Sequence, residues 1–92
     1  MNFEWDENKR RSNVSKHRVD FADAVGVFYD DNAVTVEDPD HYGEQRFITL
    51  GVDFTLQVLV VVNTQRSGNT IRVISARKAN GKERQQYEGN LA

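Results

Sequence analysis

Apolar residues run almost unbroken from Leu56 to Val62, while the first twenty positions are mostly charged or polar. A core must therefore form around the later segment, with the earlier one contributing single faces to it. Asn2 to Trp5 reads as a short strand. The Asp6 side chain can then cap a helix that carries Glu7 in its first turn and ends near Lys16 and His17. Asp20 can cap a second helix, with Val19 before the cap placed to pack on Ala24. Phe21, Ala24, Val25 and Phe28 recur at helical spacing, and Asp30-Asp31-Asn32 stops the run because these side chains compete for backbone hydrogen bonds. Four segments rich in β-branched residues follow: Ala33 to Glu37, Gln45 to Val52, Leu56 to Thr64 and Thr70 to Arg77. Their short connections, Ser67-Gly68-Asn69 among them, suit antiparallel hairpins. Leu56 to Val62 belongs at the centre with both faces covered, whereas Thr70 to Arg77 alternates and shows one polar face. Asn80 caps a last helix, Glu83 completes a capping box, and Gly89 suits the helix end. This order predicts an α+β fold. Its mainly antiparallel sheet of four to five strands has N-terminal helices and a C-terminal helix gathered on one side, leaving the other face open to a ligand.

A chain of 92 residues fits one domain, residues 1–92. No run approaches the roughly 18 apolar residues that cross a bilayer, and Met1-Asn2-Phe3-Glu4 lacks the basic and apolar segments of a secretory signal, so a cytoplasmic location without membrane contact is expected. Cysteine is absent, which excludes disulfides, thiolate metal ligands and cysteine nucleophiles. The net charge of −2 argues against a nucleic-acid ligand until the chain is divided. Residues 1–45 hold five basic and eleven acidic side chains; residues 46–92 hold seven basic and three acidic. Such asymmetry suggests a surface for an acidic ligand on the second half.

The basic residues of that half fall on separate elements: Arg46 on a strand, Arg66 at a turn, Arg72 and Arg77 on the last strand, Lys78 just beyond it, Lys82 and Arg84 on the helix. Gathered into one pocket, their guanidinium forks would hold phosphate oxygens and the charge of a phosphoryl transition state. Scattered, they would form a solvated face paired with the acidic first half. His17 stands between Lys16 and Arg18, cations that favour a neutral imidazole able to act as a base, or it simply ends its helix. Glu83 and Tyr87 share a helical face that could meet a substrate beside Arg77, although the capping box and core packing account for them equally. His41 lies among the acids of Glu37 to Glu44, a weak metal candidate without EF-hand spacing. Trp5 reads as an anchor for the sheet.

Phe3-Glu4-Trp5-Asp6-Glu7-Asn8-Lys9, Asn13, Lys16-His17 and Val19-Asp20-Phe21-Ala22-Asp23-Ala24 together resemble the opening of BrnT toxins. Ile71 to Ala79, followed by Glu83-Arg84 and Tyr87-Glu88, resembles that family's closing strand and helix, so the likeness spans nearly the whole chain. The resemblance implies a RelE-like fold and a toxin of a type II toxin–antitoxin system, a metal-independent endoribonuclease without cofactor that cleaves RNA and inhibits translation. It further implies neutralisation by a BrnA-like antitoxin, in a heterotetramer of two toxins and two antitoxins that reaches operator DNA through the antitoxin. Carried over by position, the matching residues are His17, Arg46, Arg66, Arg77, Glu83, Arg84 and Tyr87; His17, Arg66, Arg77 and Tyr87 are expected to be catalytic, and Arg46 and Arg84, with Arg72, Lys78 and Lys82 of the basic half, to bind RNA. His17 is the expected base, Arg66 and Arg77 the groups that stabilise the phosphorane, and Tyr87 an aid to the leaving oxygen. Two rivals stay open: a non-catalytic protein- or DNA-binding co-repressor, and a metal-dependent nuclease built on His41.

Overall fold

Local capping chemistry sets the N-terminal half. In the computed structural model, which describes residues 1–40 and 43–91, β1 (Asn2–Glu4) leads into α1 (Glu7–His17), whose cap Asp6 accepts the backbone N–H groups of Asn8 and Lys9. Arg18 closes α1 in the left-handed region at φ 59°. Asp20 then caps α2 (Phe21–Ala24) by accepting the Ala22 N–H. The expected second helix is shorter than its apolar stripe, because from Val25 to Tyr29 the chain tightens into a 3-10 turn. Val25, Gly26 and Val27, poor helix formers, are all buried there. Gly26 presses on the backbone of Asp53 and Phe54, where an added Cβ would stand 2.5 Å from the Phe54 nitrogen.

The sheet has the order β1-β5-β4-β3-β2, with β2 (Val34–Glu37), β3 (Phe47–Val52), β4 (Val58–Arg66) and β5 (Thr70–Lys78) antiparallel in sequence and β1 parallel to β5. The central position expected for the apolar run holds for β4. Its start does not: Leu56 lies in the preceding turn at φ 68°, and it is 84% exposed. The turn is shaped by the buried Asp53 carboxylate, which accepts the N–H groups of Thr55 and Gln57 and the Thr55 hydroxyl. Such Asx geometry outweighs the apolar character of one leucine.

One face of the sheet carries Leu59, Val61, Val73 and Ala76, packed against Val19, Phe21, Ala24, Val25 and Val27. Trp5 packs at the margin of this core edge-on to Phe21, the sheet anchor expected of it. Asn13, buried on α1, joins the layers: its amide donates to the carbonyls of Val19 and Ala76 and accepts the Ala76 N–H. The last helix, α3 (Gly81–Gly89), departs from the expectation that all helices share one side. Glu83, Gln86 and Asn90 line a groove with Val34, Leu50 and Val60, side chains of the second face. The Asn80–Glu83 capping box forms as expected. No helix among the described residues is long and apolar enough to cross a membrane.

Candidate functional site

Strict alternation would put Arg72 and Arg77, five residues apart on β5, on opposite faces. A bulge changes that. Val62 pairs with Ser75 but the next β4 residue, Asn63, pairs with Val73, so β5 carries one extra residue between them. Val73 and Ala76 both point into the core, and Arg72 and Arg77 consequently both stand on the second face, opposite Thr64 and Val60. Arg66 has the same parity as Thr64 on β4, and Arg46 the same parity as Ile48 and Leu50 of β3. Arg66, Arg72 and Arg77 on the strands, and Arg46 immediately before β3, thus share the face that α1 and α2 leave uncovered.

They form two groups on that face rather than one pocket. At the first end, Glu4 pairs with Arg72 across β1 and β5, with Nη1 to Oε2 at 2.8 Å. The same oxygen lies 3.5 Å from Arg66 Nε, and Arg66 Nη1 lies 3.5 Å from Glu44 Oε2. Arg46 Nε, 3.8 Å from Glu44 Oε1, is buried without a hydrogen-bond partner among the described residues. Three guanidinium groups against two carboxylates leave one positive charge in excess, and a buried N–H donor lacks an acceptor. That is a place where an oxyanion would be held.

At the other end, Arg77 meets Glu83 through two parallel bonds, Nη1 to Oε1 and Nη2 to Oε2, each 2.8 Å. This pairing, opposed by partial burial and aided by the Asn80 N–H, holds the Glu83 carboxyl down at about 2. Beside the Arg77–Glu83 pair, a groove of about 450 Å³ runs between α3 and the strands β4, β3 and β2, floored by valines, Ile48 and Leu50. The β4 partners of Arg72 and Arg77 are four residues apart, which sets the ends roughly 13 Å from one another along the strand.

Tyr87 is buried, and its hydroxyl donates to Asp30 Oδ2 at 2.5 Å. Burial, that hydrogen bond and the negative charge of Asp30 push the phenol up to about 12. Burial also acts to raise Asp30, but the bonds from Tyr87, the Val52 N–H and the Asn32 N–H outweigh it and leave its carboxyl below the usual range. Val52 lies beyond the last β2–β3 pair, Val34 with Leu50, so Tyr87 reaches past the end of β2 to tie α3 to the helical layer. In this arrangement its hydroxyl is occupied.

His17 ends α1, in the layer on the opposite face, and is exposed. No hydrogen bond or ion pair among the described residues links it to the strand arginines. Lys78, Lys82 and Arg84 are exposed and make no ion pair among the described residues, leaving them free to meet phosphates around Arg77. His41 lies outside the described residues, and no cluster of metal-ligating side chains occurs among the rest. Sequence reasoning missed Glu4 and Glu44 as members of this face, and Asp30 as the acceptor that holds Tyr87. Only the register of β1 against β5, and the packing of α3, reveals them.

A family model described as a ribonuclease toxin, BrnT, of type II toxin-antitoxin systems matches residues 5–83. Among solved structures, the chain is similar to the 1.1 Å crystal structure of the ribonuclease toxin BrnT of Brucella abortus, with a TM-score of 0.64 and 28% identity over 87% of this chain and 97% of that one. No curated protein matches. The matched span takes in both N-terminal helices, the whole five-stranded sheet after its first strand, and the Arg77–Glu83 pair, and the chain belongs to the BrnT family of ribonuclease toxins of type II toxin–antitoxin systems.

Proposed function

We propose that this chain cuts RNA without a metal ion and thereby inhibits translation, and that a BrnA-like antitoxin restrains it in a 2:2 complex that reaches operator DNA through the antitoxin. The observation that carries the reading is the bulge in β5, which puts Arg72 and Arg77 on the same face as Arg46 and Arg66. A cationic face with an apolar groove beside it suits a single strand, whose phosphates take the guanidinium groups while a base or ribose rests on the valines.

In this reading Arg66, helped by Arg46 and Arg72, holds the scissile phosphate and stabilises the phosphorane as the ribose 2′-oxygen attacks phosphorus. Arg77 holds a neighbouring phosphate once Glu83 yields, with Lys78, Lys82 and Arg84 around it. Tyr87 acts through α3, by positioning the Arg77–Glu83 pair, and His17 is left as an outlying candidate for proton transfer.

Cleavage of a 5′-labelled single-stranded RNA in EDTA tests the proposal. Cutting by the unaltered protein, with products ending in 2′,3′-cyclic phosphate, is the expected result. Arg66→Ala should slow it about 100-fold or more and Arg77→Ala about 10-fold. Undiminished cutting by both variants removes the arginine face from the mechanism, and loss of cutting in EDTA transfers the chemistry to a metal. The occupation of Arg77 by Glu83 favours a second reading, a non-catalytic partner that binds without turnover. Tight RNA binding with no product under any condition would establish it.

A further inference from the structure

The cleavage proposed above needs a group on the arginine face to remove the 2′-hydroxyl proton, and the described residues narrow the choice to carboxylates. Glu4, Glu44 and Glu83 are the acids that pair with the four arginines there. Glu83 has both oxygens on Arg77 and also accepts the Asn80 N–H at 2.9 Å, which leaves it no free edge. Glu4 commits one oxygen to Arg72 at 2.8 Å and to Arg66 at 3.5 Å. Glu44 is held most loosely. Its contacts to Arg66 and Arg46 are 3.5 and 3.8 Å, and its side chain is 42% exposed.

We propose that Glu44 is the general base of this site, facing a phosphate held by Arg46 and Arg66. The placement follows from the missing acceptor. Among the described residues Arg46 Nε is buried without a hydrogen-bond partner, and a phosphate oxygen would complete it. The same phosphate would compete with Glu44 for Arg66, releasing the carboxylate toward the ribose on the 3′-linked nucleotide. The ribose O2′–H proton passes to a Glu44 oxygen as O2′ bonds to phosphorus. The P–O5′ bond then breaks, and the departing O5′ takes a proton from water. Glu44 returns its proton to solvent, leaving a 2′,3′-cyclic phosphate and a 5′-hydroxyl.

This assignment rests on the ribonuclease reading, and the experiment separates the two. Cleavage of 5′-labelled single-stranded RNA is measured for the unaltered protein and Glu44→Gln. Binding is measured with a fully 2′-O-methylated oligonucleotide of the same sequence, which offers phosphates but no attacking hydroxyl. The expected result is a loss of about 100-fold or more in the cleavage rate of Glu44→Gln. Binding should be unchanged or tighter, since one negative charge has left the arginine cluster. Cutting by Glu44→Gln at the unaltered rate overturns the assignment alone, as does a loss of binding in proportion to the loss of rate. An unaltered protein that never cuts overturns the ribonuclease reading and the base with it.

Discussion

Removing one oxygen from Tyr87 tests how α3 is held over the arginine face. In Tyr87→Phe the ring still fills its buried site, but Asp30 keeps only the Val52 and Asn32 N–H donors. The phenol sits at about 12 against an ordinary 10.0, a difference of about 2.7 kcal/mol if counted in full. Asp30 is partly exposed to water, so a stability loss of about 1.5 kcal/mol is expected, within the range for a hydrogen bond to a charged group. The pH dependence has a definite sign. The folded protein holds the phenol proton more tightly than the unfolded chain, so this stabilisation is complete below pH 10 and is lost as pH rises toward 12. Urea unfolding followed by Trp5 fluorescence, at pH 7.5 and in steps from 9.5 to 12, measures it. The other tyrosines and the lysines titrate alike in both proteins, so the gap between them isolates Tyr87. It should be about 1.5 kcal/mol at neutral pH and close toward pH 12. A gap below about 0.5 kcal/mol at neutral pH, within the scatter of surface substitutions, or one that survives at pH 12, would refute the tie to Asp30.

Asn13→Ala should cost about 3 kcal/mol in urea unfolding, because it strips partners from two buried carbonyls and one buried N–H that join α1 to β5. A loss under about 1 kcal/mol, less than one unsatisfied buried group, would show that water replaces the amide. Gly26→Ala should destabilise by about 2 kcal/mol or more, since the new methyl meets backbone at 2.5 and 2.8 Å. Gly81→Ala, with open space at its Cβ, serves as the control and should stay within about 0.5 kcal/mol of the parent. Equal melting temperatures for the two glycine variants would contradict the packing of the 3-10 turn on Asp53 and Phe54.

What the sequence determined by itself was local. Asp6, Asp20 and Asn80 each cap a helix through bonds that span two or three residues, and composition divides the charge between the halves before any folding occurs. The apolar run of β4 likewise demands a central strand wherever the chain goes. Tertiary structure decided the rest, through contacts between positions far apart in the chain. The extra residue between Val73 and Ala76 satisfies the core on both sides of it, and only that packing reverses the face on which Arg77 emerges. The side chosen by α3 rests on Tyr87 meeting Asp30, 57 residues away. Glu4 and Glu44 look like ordinary surface acids until β1 pairs with β5 and the segment before β3 approaches the end of β4. A pattern of period two or 3.6 assigns faces within an element, whereas a site built from five strands and a helix depends on registers that long-range packing alone sets.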